Sequence, residues 1–170
     1  ARLEGAVFRG PVEHVVSGGT TIVYDAREVF ADLRGVDLSG AQSAGADLAG
    51  LDLRESAWAG ADLTDADLSG AVMVDAAFSD ADLGGADLSG GQLSGAAFDG
   101  ARLERANLGG AAGQDVDLSG ANLNDADLRD VRLLRPRFAG ADLRRARLEG
   151  ARLTDADLDG ATVCLSRRAS

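Results

Sequence analysis

Lysine is missing from this 170-residue chain; all 17 of its basic residues are arginine. Cysteine occurs once, as Cys164, so no internal disulfide can form, and a reducing cytosol fits the composition. Aromatic residues make up only 4% of the chain, so the 45% that is hydrophobic is mainly alanine and leucine. Such a composition suits many small, similar layers better than one core of large side chains. No stretch of 18 apolar residues exists, which excludes a transmembrane helix, and no signal-peptide pattern opens the chain. The expectation is a cytoplasmic protein with no membrane contact.

Catalytic and ligand-binding chemistry is equally sparse. A hydrolytic triad would have to use His14, the sole imidazole, with Ser17 or Cys164 as nucleophile. Nothing in the sequence places these residues together. There is no phosphate-binding glycine loop, no EF-hand and no glycine-aspartate nonapeptide. No enzyme, cofactor or metal site is therefore expected. The net charge of −11 argues against direct nucleic-acid binding through phosphate contacts and suggests a basic partner.

What the chain does contain is a five-residue repeat. From Ala31 to Leu165 it divides into 27 consecutive pentads without an insertion. The third residue is large and apolar in 25 of them, which fixes the register; the exceptions are Ser43 and Gly113. The first residue is usually alanine, the second often aspartate and the fifth often glycine. In an α-helix, five residues rotate by about 140°, so the leucines would march around the axis. In a flat strand an odd period sends them to alternate faces. Only a chain that turns a corner every five residues keeps each third residue inside. The pattern thus predicts a solenoid, with first and third residues inward and glycine relieving the corner.

The pentads ADLSG at 66–70 and 86–90, with ANLND at 121–125, carry a family resemblance. The pattern A-D-L-x-G resembles the pentapeptide-repeat proteins. The resemblance implies an all-β fold, a right-handed quadrilateral β-helix with four pentads per coil. A single domain of about eight coils then spans residues 1–170, and residues 20 apart stack at about 4.8 Å.

On that stacking, one interior column reads Leu38, Trp58, Phe78, Phe98, Leu118, Phe138 and Leu158, which is core. A second column is interrupted at Gly113, where a void or local bend is expected. Ser43 is expected to bond to nearby backbone. Outside, one face reads Asp47, Asp67, Asp87, Asn107, Asp127 and Arg147, and a neighbouring face carries Asp62, Asp82 and Asp142. These aspartates are either the repeat's ordinary solvent-facing residue or an anionic surface for a basic groove. Residues 1–128 hold 22 acidic residues against 7 arginines, whereas 129–170 hold 6 against 10. The acidic body and basic end permit oriented docking or an end-to-end homodimer.

Residues 11–30, PVEHVVSGGTTIVYDAREVF, abandon the repeat. Two β-branched runs around Ser17-Gly18-Gly19 predict a β-hairpin, with strands near 12–16 and 20–24. It holds His14 and Tyr24 and serves either partner contact or end-capping.

The Qnr-type quinolone-resistance members of the family imply one particular function. By that resemblance the chain mimics B-DNA and occupies the DNA-binding saddle of DNA gyrase or topoisomerase IV, modulating the action of topoisomerase poisons. Asp47, Asp67, Asp87 and Asp127 would form the phosphate-like ladder, aided by Asp62, Asp82, Asp142, His14 and Tyr24. The alternative is a non-enzymatic scaffold for a different protein partner.

Overall fold

The computed structural model describes residues 33–163 and two short strands, β1 (Val15–Ser17) and β2 (Thr20–Ile22). Within 33–163 the second residue of each pentad pairs in parallel with the residue 20 further on, as in Asp47 with Asp67 and Asp67 with Asp87. Four pentads therefore make one coil, and the fold is a right-handed quadrilateral β-helix. At 20 residues per coil, the 131 residues from 33 to 163 make about six and a half coils, roughly 31 Å of rod. The eight coils expected for the whole chain include residues outside the described part. Three ladder segments lengthen into true strands, β3 (Ala112–Gln114), β4 (Arg132–Leu134) and β5 (Arg152–Thr154), in the parallel order β3-β4-β5.

Backbone hydrogen bonding explains the pentad residue by residue, because each buried or half-buried N–H needs an acceptor. The first-position N–H donates to the third-position carbonyl before it, as Ala41 to Leu38 at 2.9 Å. The second donates back one coil, Asp62 to Ala41 at 2.9 Å, and the third donates forward, Leu38 to Ala57 at 2.7 Å. The fifth also donates forward, Gly40 to Ala59 at 2.9 Å. Only the fourth-position N–H is left over. The second-position carboxylate takes it: Ser69 donates to Asp67 Oδ1 at 2.9 Å, Gly84 to Asp82 at 3.1 Å and Ser89 to Asp87 at 2.8 Å. Aspartate is thus the repeat's turn-former, an Asx turn in each such pentad.

The corner residue turns the chain through the left-handed region. Every fifth-position residue from Gly35 to Gly160 has φ between 51° and 74°, including eleven that are not glycine. Glycine removes the steric cost of that conformation, and Asp is among the residues that tolerate it best. Four corner aspartates use a glycine on the coil above: Asp65, Asp75, Asp80 and Asp130 lay a carboxylate oxygen where a Cβ on Gly85, Gly95, Gly100 and Gly150 would sit.

Inside, the leucine ladder is buried from Leu33 to Leu143. Leu63, Leu83 and Leu88 are fully buried, as the pentad register requires. Each buried leucine contributes about 1.5–3 kcal/mol of transfer free energy, so many small layers sum to a stable rod. Trp58 stacks on Phe78 with centroids 6.1 Å apart, and Phe78 on Phe98 at 5.0 Å. The indole N–H of Trp58 donates to Ser56 Oγ at 2.8 Å, and Ser56 in turn donates to the Leu53 carbonyl at 2.6 Å. A serine replaces the usual first-position alanine at the coil that has an indole to satisfy.

Leu158, expected in the core column, is 46% exposed on the last coil of the described residues, and two further interior expectations need correction. Gly113 leaves no void: a Cβ there would lie 2.9 Å from the Leu93 carbonyl carbon and 2.9 Å from the Ser94 nitrogen. Of the void and the local bend expected there, the close approach of the β3 backbone to that of Leu93 and Ser94 fits the bend. Ser43 makes no backbone bond through its hydroxyl, which is buried without a partner. The hairpin pairs Val15 with Ile22, Val16 with Thr21 and Ser17 with Thr20 in antiparallel register. The remainder of 11–30, with His14 and Tyr24, lies outside the described residues.

Candidate partner-binding surface

All seven of the aspartates expected to meet a partner fall on two adjacent outer faces. Asp47, Asp67, Asp87, Asn107, Asp127 and Arg147 form one unbroken parallel ladder. Gln42, Asp62, Asp82, Arg102, Asn122, Asp142 and Thr162 form the next. Adjacent rungs repeat at one coil rise, about 4.8 Å. Each of the seven carboxylates holds the N–H two residues ahead through Oδ1, which fixes its orientation. Structural and surface roles are therefore combined in one side chain, half-buried or exposed at each of these rungs.

Arginine divides the ladders. Asp127 is clamped by the Arg129 guanidinium of its own pentad and approached by Arg147 at 3.5 Å. Arg144 clamps Asp142 with bonds of 2.6–3.0 Å, and Arg102 meets Asp82 at 3.0 Å. Hydrogen bonds from Arg129 and Arg144 hold the Asp127 and Asp142 carboxyls below the ordinary carboxylate range, outweighing the upward push of burial. These aspartates offer a partner a neutralised pair. Among the described residues no ion pair joins an arginine to Asp47, Asp67, Asp87 or Asp62, and the first three make a continuous anionic strip. Ala49, Ser69, Ser89 and the corners Gly50, Gly70 and Gly90 flank that strip, so nothing bulky shields it.

The corner carboxylates Asp65, Asp75 and Asp80 add negative charge to the same body; of these, sequence reasoning places only Asp65 beside the ladders. Their signal is an aspartate at the fifth position followed 20 residues later by glycine. A pocket of about 580 Å³ opens beside Gly84 and Gly85. It is lined by Asp65, Asp82 and Glu104 together with Arg102 and Arg105, so it is polar and of mixed charge. Among the described residues there is no cluster of three or more metal-ligating side chains and no helix able to cross a membrane.

A four-sided coil with inward leucines and Asx-turn aspartates defines a repeat scaffold, and family models agree with it. Models of the pentapeptide repeats match residues 29–57, 59–95, 92–130 and 118–162. The chain belongs to the pentapeptide-repeat family. No curated protein sequence matches it. Among solved structures it is similar to HetL, a pentapeptide-repeat protein involved in heterocyst differentiation regulation in the cyanobacterium Nostoc sp. strain PCC 7120. That match has 33% identity and a TM-score of 0.37, covering 82% of this chain and 64% of HetL. This chain thus spans under two thirds of HetL's length. A pentapeptide-repeat protein of the Arabidopsis thaliana thylakoid lumen matches at 36% identity and TM-score 0.34, over 58% of this chain and 69% of that one. QnrB1, a plasmid-mediated fluoroquinolone resistance protein, matches at 17% identity and TM-score 0.31, over 76% of this chain and 91% of that one.

Proposed function

We propose that this chain is a non-catalytic binding module whose acidic body imitates duplex DNA. Its partner is a DNA-handling enzyme with a basic groove, for which a type II topoisomerase (DNA gyrase or topoisomerase IV) is the candidate. The observation that carries the proposal is linear charge density. Residues 33–128 hold 17 acidic residues and 4 arginines, a net of −13. Those 96 residues make 4.8 coils, about 23 Å of rod. Duplex DNA carries about 14 charges over that length. The rod therefore presents nearly the charge of the nucleic acid it would displace, on a scaffold whose carboxylates are already oriented.

Preorganisation lowers the cost of association, since Oδ1 of each rung is fixed before a partner arrives. Charge complementarity of this kind acts chiefly on encounter rate and orientation, so the complex should be sensitive to salt. The Asp47–Asp67–Asp87 strip is where partner arginines and lysines would dock. The test is a supercoiling and poison-stabilised cleavage assay with purified protein at micromolar concentration. Reduced supercoiling or reduced cleavage supports the reading. If both stay unchanged, the chain is instead a scaffold for some other protein.

A further inference from the structure

Among the described residues, one pair of arginines at the basic end of the rod has no carboxylate partner. Arg132 and Arg152 begin β4 and β5 and pair directly across the parallel ladder on the fourth face. Both are exposed. The other arginines of residues 129–163 all have a carboxylate close by: Arg129, Arg135, Arg137, Arg144, Arg145 and Arg147. Arg132 and Arg152 have no such partner among the described residues. The preceding rungs of their ladder are Ala112, Gln92 and Val72, so the nearest carboxylate rung is Asp52, four coils from Arg132, and the corner Asp115 of that face is held by Arg135. Like charges directly opposite each other in a sheet repel, which favours an anionic partner.

We propose that this arginine pair takes the Asp47–Asp67–Asp87 strip of a second copy of the chain, side against side. Spacing is the first reason. Both ladders are built on the same coil, so rungs about 4.8 Å apart on one copy meet rungs about 4.8 Å apart on the other, whichever way the rods point. An extended acidic peptide offers same-face side chains about 6.6–6.8 Å apart and cannot match two successive rungs so well. Access is the second reason: the residues flanking the aspartate strip are mostly alanine, serine and glycine, and the one corner that differs, Asp65, is itself acidic. The third is orientation, because each carboxylate is already held by its turn.

The two surfaces lie on adjacent faces and toward opposite ends of one rod. A single flat contact cannot use both at once, so the contact is heterologous and each copy keeps one surface free. Such an interface does not close at a dimer but continues along a chain of copies. The proposal stands apart from the topoisomerase reading, although the same strip would serve both.

Sedimentation velocity on the full chain tests it, at about 20 mM and about 500 mM salt. At low salt the mean mass of the wild type should rise with concentration beyond a dimer, and at high salt return to the 17.3 kDa monomer. R132Q/R152Q and D67N/D87N, which remove charge without creating the opposite one and keep the turn acceptors, should each remain monomeric, with folding verified by circular dichroism. Mixed one to one, they should form a heterodimer and nothing larger, since each supplies the surface the other lacks. R132E/R152E alone, a stronger change, should likewise lose association. A wild type monomeric at low salt overturns the proposal. So does association that survives R132E/R152E or high salt, which would point to the exposed apolar residues Leu158 and Val163 instead.

Discussion

Replacing Gly113 by leucine restores the residue that the repeat places at almost every other third position, yet it should weaken the protein. A Cβ on Gly113 would meet the Leu93 carbonyl carbon and the Ser94 nitrogen at 2.9 Å and Val116 Cγ2 at 3.1 Å. Carbon contacts are comfortable at about 3.5–4.0 Å, so β3 would have to retreat by about 0.6 Å or more from the coil beneath it. That retreat strains the bonds joining the two coils: Leu93 N–H to the Ala112 carbonyl at 2.8 Å, and Gly95 N–H to the Gln114 carbonyl at 2.9 Å. Overpacking of this kind costs about 1–3 kcal/mol, and each weakened hydrogen bond up to about 1 kcal/mol more. We expect about 2–4 kcal/mol for Gly113→Leu and about 1–2 for Gly113→Ala. In a protein of this size the leucine variant should lose about 4–16 °C in Tm. Exposed Gln92→Ala is the control and should stay within about 0.5 kcal/mol of wild type. Thermal and urea unfolding followed by circular dichroism give both numbers. A leucine variant as stable as wild type, or more so, would refute the packed-in backbone and reinstate a void.

Other outcomes follow from single contacts. Ser56→Ala strands the buried Trp58 N–H and should cost about 1–3 kcal/mol, with a change in the emission of the chain's one tryptophan; an unchanged urea midpoint would contradict that bond. Ser43→Ala removes a buried hydroxyl that has no partner and should be neutral or stabilising by about 1 kcal/mol, read by the same midpoint. Leu88→Asp buries an unpaired charge and should cost at least 3 kcal/mol, so near-wild-type stability would exclude its inward assignment. Hydrogen bonds from Arg135 and Arg145 hold Asp115 and Asp125 below the ordinary carboxylate range. A depressed folded-state value stabilises above the unfolded value of about 3.9 and is lost as pH falls through the folded one. Urea midpoints should therefore hold steady down to about pH 4 and fall below it, with a shallower fall in R135Q/R145Q.

Much of the fold is legible because five residues are too few to hide alternatives. Leu63 and Leu83 face inward for the reason the register demands, and Trp58, Phe78 and Phe98 stack because they stand 20 residues apart. The second-position aspartate was harder. Its abundance suggests a surface preference, whereas its cause is the one backbone N–H that the coil cannot satisfy, visible only once the other four are traced. Gly113 misleads because a missing side chain predicts a hole only if the backbone stays in place. Ion pairing was recoverable in part: Asp115 with Arg135 and Asp125 with Arg145 stand 20 residues apart. Asp127 with Arg129 and Asp142 with Arg144 needed the turn geometry, which folds a fourth-position arginine back onto the second-position carboxylate. For that reason Asp127 and Asp142 looked like rungs of a free ladder in the sequence and are neutralised in the structure.

The central claim is that the Asp47–Asp67–Asp87 strip competes with DNA for a basic groove. Reversal to arginine would also remove the acceptors that hold Ala49, Ser69 and Ser89, so asparagine is the cleaner change. Asn107 and Asn122 already keep the same turn bond, at 3.0 and 3.2 Å. The measurement is fluorescence anisotropy of a labelled DNA duplex bound to gyrase, titrated with wild type, D47N/D67N/D87N and the control R144Q/R147Q at two salt concentrations. Wild type and the arginine control should displace the duplex, less effectively as salt rises. The asparagine variant, equally folded, should displace it at least tenfold less well. Displacement unaffected by the three asparagines, or none by the wild type at low salt, would contradict the account.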